Sequence, residues 1–385
     1  PRAFERCVNL TSVVIPDGVS VIGESMFSGC NSLTNAVMGG DIVRFGDGAF
    51  NGCDKLAGME FSDKLTVIGH SAFLRCESLK SLDIPDNVLE IGASAFGLCR
   101  GVTNLTLGAN LEVINGGAFS GCLRITDITI PERVTTIGDA AFSYCSGLVN
   151  VSMPGGLLSL GSSAFNGCSN LKEVHLPDSV SWIGSQTFRN CYNLSSVTIG
   201  ESVGGIGLSA FLSCRSLTSI VIPESVTVIG GWAFSETSLE SVVIGNGVAS
   251  IGHSAFSRCG ALSSIIIPES VVEIGSSAFF GCRMLESIRL PSNLNVIEGH
   301  VFSGCSRLIE VEVPDGVTSI GERSFNSCDK LKFISIPDSV MHIGDDAFGW
   351  CQELSQVSWG AGLTSIGDRA FENCRMLTSA ALPEG

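Results

Sequence analysis

Residues 217–234 read LTSIVIPESVTVIGGWAF, and residues 262–279 read LSSIIIPESVVEIGSSAF. The same sentence recurs along the whole chain, so each residue type occupies a fixed slot. The closing Phe serves as a ruler. It falls at Phe4, Phe27, Phe50 and onward to Phe371 in steps of 23 residues, with one step of 22 between Phe234 and Phe256. A period in this range marks a solenoid: one repeat cannot bury its apolar face alone, and stacking on its neighbours supplies the core. Residues 1–385 are therefore expected to form one array of about 16 repeats, although 385 residues would ordinarily suggest two or three globular domains.

Within the repeat, L-x-x-I-x-I-P ends in residues that alternate with period two, which predicts a short strand stacked in parallel on the same strand of the next rung. Eleven of the twelve prolines follow this strand directly, from Pro16 to Pro383. Pro has no N–H for a ladder and belongs where the sheet stops. Two aliphatic slots then point back inward, as at Val19, Ile42, Leu65 and Val88. The Gly of the following IG pair, as at Gly230 and Gly275, marks a corner that needs either positive φ or close backbone approach. The S-A-F-x-x-C piece is too short for a full helix and is expected to form an irregular or 3₁₀ turn.

The pattern L-x-x-I-x-I-P-x-x-V-x-x-I-G-x-x-A-F-x-x-C resembles the BspA-like branch of leucine-rich repeats over the entire chain. The resemblance implies a curved superhelix with a parallel sheet on one face and irregular turns on the other. It also implies a place on the surface of bacteria or unicellular eukaryotes, and a role in adhesion or recognition. It carries over no active site. The chain opens and closes inside a repeat, so a fragment of a longer protein is expected.

Composition narrows the function. Apolar residues make up 44% and the net charge is −16. Nucleic acid is disfavoured as a partner, because binding phosphates needs clustered Lys and Arg, and no apolar run is long enough for direct membrane insertion.

All sixteen cysteines stand three residues after the Phe. Stacked side chains about 4.8 Å apart do not meet the about 3.8 Å Cβ separation of a disulfide, so free, buried, inert thiols are expected. No C-x-x-C or H-x-x-x-H pair offers a metal site, and no cofactor motif occurs. His70 with Cys76 and His253 with Cys259 are the nearest approach to a nucleophile and base, but each thiol belongs to the core pattern.

The slot after Pro is acidic in eleven rungs, among them Asp17, Asp86, Glu224, Glu269, Asp338 and Glu384. A cation-gathering stripe and a solvated turn are both consistent with it.

Partner information must lie in the slots the scaffold leaves free. The second outward strand slot runs from Val14 through Glu60 and Thr129 to Ala381 and is mostly small and polar. Three consecutive rungs break that rule with Val221, Val243 and Ile266, followed by Arg289 and the pair Glu310 and Glu312. An apolar strip bordered by charge is how partner sites are commonly built. The expected function is non-catalytic binding of a protein or carbohydrate partner, with an intracellular scaffold as the alternative suggested by unpaired cysteines.

Overall fold

The computed structural model describes residues 1–382, so Pro383 and Glu384 lie outside the described residues. The chain forms two compact units, Pro1–Gly200 and Glu201–Gly385. Each is a parallel β-solenoid, and among the described residues there is no helix.

In the first unit the L-x-x-I-x-I-P segment gives three-residue strands such as Ser12–Val14, Asn35–Val37, Ser81–Asp83 and Asn104–Thr106. In the second it gives Ser219–Ile222, Ser241–Ile244, Ser264–Ile266, Ser287–Arg289 and Glu310–Glu312. Neighbours pair in parallel, one repeat apart. Alternation puts Ile220, Val242, Ile265, Ile288 and Val311 inside and their neighbours outside.

The expected row is not unbroken: hydrogen bonding divides it into sheets of two or three strands. Residues 57–62, which include Glu60, form no strand. There Gly58 weakens the extended segment and Phe61 takes an aliphatic slot, meeting Phe73 edge-on at 5.6 Å. Ala381 also lies outside the strands.

A second ladder was not anticipated. The two residues before the IG glycine pair in parallel as well, giving seven strands in order from Val21–Ile22 to Ser159–Leu160 in the first unit. The second unit holds two four-stranded runs, Gly205–Ile206 to Glu273–Ile274 and Val296–Ile297 to Ser365–Ile366. Between the ladders, Pro starts a turn whose carbonyl accepts the N–H three residues on, as Pro223 O does from Val226 at 3.2 Å.

The A-F-x-x-C turn is more ordered than an irregular loop. Its N–H groups alternate between two partners. Ala49, Asn51 and Cys53 donate back three residues within the turn, while Gly48, Phe50 and Gly52 donate to His70, Ala72 and Leu74 of the next rung. This alternation needs left-handed backbone two residues before and two after the Phe, as at Ser71 (φ 51°) and Arg75 (φ 63°) around Phe73. The IG glycines are not the positive-φ positions. They serve close approach: a Cβ on Gly230 would meet Gly207 C at 2.7 Å, and one on Gly275 would meet His253 N at 2.6 Å.

The Phe side chains stack face to face up the core at 5.1–5.7 Å in the first unit and over the same range in the second. Offset stacking adds to the large apolar area each ring buries. The cysteine column lies beside it, buried from Cys30 onward, with Cys7 exposed. These thiols do more than fill space. From Cys30 to Cys191 and from Cys259 to Cys374 each donates to the carbonyl of the Phe one rung earlier, as Cys282 does to Phe256 at 3.2 Å and Cys305 to Phe279 at 3.3 Å.

The short repeat keeps its register, with Ser219 opposite Ser241. Thr237 stands in the Cys slot and its hydroxyl is satisfied: it donates to Phe234 O at 2.8 Å and lies 3.2 Å from Cys259 Sγ. No helix among the described residues is long and apolar enough to cross a membrane.

Candidate functional site

The outward residues of the second unit's strands form one row. Val221 faces Val243 in register, the strand carrying Val243 packs beside the one carrying Ile266, and Ile266 faces Arg289, which faces Glu312. Val221, Val243 and Ile266 are 63%, 58% and 80% exposed. Nothing on their own rungs covers them, because successive strand side chains leave opposite faces of the sheet. The scaffold leaves them bare, although burying each would remove about 1.5–3 kcal/mol worth of apolar surface from water.

Beyond the strip, Arg289, Glu310 and Glu312 line a shallow hollow of about 480 Å³ whose floor is Ile288 and Val311. The structure thus brings all six expected residues onto one face. It adds Phe333, which closes the hollow and is 44% exposed. Its signal is present in the sequence: it is the sole aromatic residue in the first outward strand slot, which elsewhere holds mainly Ser, Asn, Asp, Glu or Gln. Arg289 makes an ion pair with Glu269 at 3.5 Å with both groups exposed, a contact worth at most about 1 kcal/mol. The guanidinium therefore remains exchangeable with an incoming carboxylate. Glu269 is further held by the backbone N–H and hydroxyl of Ser292 at 2.8 and 2.9 Å, which lower its pKa.

The acidic slot after Pro has a structural task. Asp86 accepts Ala109 N–H at 2.7 Å, Glu224 accepts Asn246 N–H at 2.7 Å, and Asp338 accepts Ala361 N–H at 2.8 Å. Each carboxylate caps the turn of the next rung. Among the described residues no group of three His, Cys, Asp or Glu side chains is arranged to hold a metal ion.

The cysteine–histidine pairs are occupied otherwise. Cys76 donates to Phe50 O at 3.3 Å while His70 Nδ1 accepts Ala93 N–H at 3.0 Å. Cys259 donates to Phe234 O at 3.2 Å while His253 Nδ1 meets Ser276 Oγ at 2.6 Å. Burial pushes the Cys259 thiol up to about 12, the opposite of the lowered pKa a nucleophilic thiol needs.

The family model described as BspA type leucine rich repeat region (6 copies) matches residues 1–126, 112–240, 233–355 and 318–385. Among solved structures, a leucine-rich repeat protein from Bacteroides ovatus is 29% identical, with 95% of this chain and 85% of that chain covered and a TM-score of 0.64. A leucine rich cell surface protein from Faecalibacterium prausnitzii is 25% identical, with 98% and 89% covered and a TM-score of 0.45. No curated protein matches the chain at a significant level.

Proposed function

Because this chain belongs to the BspA-type leucine-rich repeat family, we propose that residues 1–385 act as one non-catalytic binding module. It serves adhesion or recognition at a cell surface, through the strand face of the second unit. The partner is a protein or glycan, and the shape of the face favours a protein. The observation that carries this reading is the exposed run Val221, Val243 and Ile266 ending at the hollow of Arg289, Glu310, Glu312 and Phe333. An apolar centre with a charged rim supplies both the area and the orientation that a protein contact uses. Arg is among the residues most often found at such contacts. The intracellular alternative rests on the free thiols. Burial withholds all of them except Cys7 from oxidants in either compartment, so the buried thiols do not discriminate.

The test is binding of the purified chain to arrayed proteins and glycans, compared with the double variant Val243→Asp, Ile266→Asp. The reading expects the wild-type signals on protein partners to disappear in the variant while its melting temperature is nearly kept. Unchanged signals would place recognition elsewhere.

A further inference from the structure

The face opposite in character to the strand row is built from the A-F-x-x-C turns, and in the second unit it carries a hollow of about 480 Å³. Its two aromatic walls are exceptions in their slots. Trp232 is the sole Trp, Tyr or Phe two residues before a ruler Phe, where Ser and Gly prevail, and Phe280 is the sole one immediately after it. They stand on rungs two steps apart, and the rungs between rise 5.4 and 5.6 Å at their Phe rings. Trp232 is 41% exposed and braced edge-on against His253 at 4.6 Å, so its ring has a fixed attitude.

Between the walls the floor is serine. Ser235, Ser254 and Ser257 are only 4%, 5% and 6% exposed. All three line the hollow, and none of their hydroxyls is among the sealed, unpartnered side-chain groups of the described residues, which are Asn166 Oδ1, Arg189 Nε and Ser324 Oγ. Ser143, which occupies the slot of Ser235 and Ser257 in the first unit, shows what such a hydroxyl otherwise does: it donates to Asn166 O at 3.3 Å. A hydroxyl that lines a hollow can both donate to and accept from a ligand seated there.

The rim is charged but balanced. Glu236 receives Ser213 Oγ at 3.0 Å and lies 3.7 Å from Arg215 and 3.4 Å from Arg258. A carboxylate already matched by two guanidinium groups selects neither an anion nor a cation, but both partners can still exchange hydrogen bonds with neutral hydroxyls.

We propose that this hollow is a carbohydrate subsite that takes a pyranose residue of a neutral glycan. The C–H face of the sugar lies against Trp232 or Phe280, and its hydroxyls meet Ser235, Ser254, Ser257 and the Glu236–Arg258 pair. The volume falls within the about 300–1,000 Å³ usual for small-molecule sites. The subsite is separate from the strand-face surface and independent of it.

The experiment uses the whole chain and four probes, the methyl glycosides of galactose, glucose, mannose and N-acetylglucosamine. Binding is read by saturation transfer to the sugar ring protons and by the change in tryptophan emission. Trp232→Ser and Phe280→Ser restore the residue common in each slot, and their thermal melts verify folding. At least one glycoside should bind to the wild type and lose about tenfold or more in affinity in each variant, while Val243→Asp, Ile266→Asp leaves it unchanged. Binding of none of the four, equal binding by both serine variants, or loss only in the strand-face variant would each overturn the assignment.

Discussion

Phe256 and Ile266 are ten residues apart in one rung and both large and apolar, yet Phe256 is fully buried and Ile266 is 80% exposed. The core columns and the outward strand row differ in what repetition demands of them. In a core column every rung must offer the same shape to the rung above, so a deviation is felt by two neighbours. In the outward row no neighbour constrains the side chain, and deviation is free to serve a partner. Hydrophobicity alone does not tell the two apart; slot does.

The largest effect expected of the core columns is their response to alkali. Cys99, Cys145, Cys259 and Cys305 are pushed from the ordinary 9.0 up to about 12 by burial. A thiol whose folded pKa is raised contributes its full stability below the unfolded value and loses it as the pH climbs toward the folded one. Each such thiol therefore costs about 1.4 kcal/mol per pH unit between about pH 9 and 12, and many do so together. Under reducing conditions the melting temperature should hold from pH 7 to 8.5 and then fall steeply by pH 10.5. A flat profile would mean that the thiols ionise in the folded state and that the column is not sealed.

Next in size is Phe256→Ala. It removes a ring stacked at 5.4 Å and 5.6 Å on its neighbours and should cost about 3–5 kcal/mol, read as a lowered denaturant midpoint. A cost near zero would make the stack decorative.

Smaller and of opposite sign is Ser324→Ala. Ser324 occupies the slot that is Ala in most repeats, is fully buried, and its hydroxyl has no partner. Removing it should raise stability by about 1 kcal/mol, and a destabilised variant would show that the hydroxyl is satisfied after all.

The same contrast explains what could be read from the chain. The Phe, Cys and Leu slots were legible because stacking asks for nearly the same shape at each rung, the Pro slot because it marks where the sheet stops, and the outward row followed from period-two alternation. The second two-residue ladder was not legible, since two residues carry no period of their own. The alternating left-handed turn was hidden because Ser, Arg, Tyr and Trp share its positive-φ positions with glycines such as Gly48, Gly52, Gly117 and Gly121, so no one residue type marks the slot. Phe333 was hard to read because it stands alone in the first outward slot, whereas the apolar exceptions of the second slot fall on three consecutive rungs. The serine-floored hollow could not be seen until the turns were known to place Trp232, Ser254 and Phe280 on one surface.

The smallest stability effect belongs to the outward row, and it carries the sharpest functional contrast. Val243→Asp, Ile266→Asp and the matched pair Thr129→Asp, Ser152→Asp add the same charge to the same slot in the two units, where Thr129 and Ser152 are exposed strand residues. Their stabilities should agree within about 1 kcal/mol. Measured on the protein partners that the wild type binds in an array, affinity should be lost in the Val243, Ile266 variant and kept in the Thr129, Ser152 variant; equal affinity in both, or equal loss, would contradict the strand face of the second unit as the recognition surface.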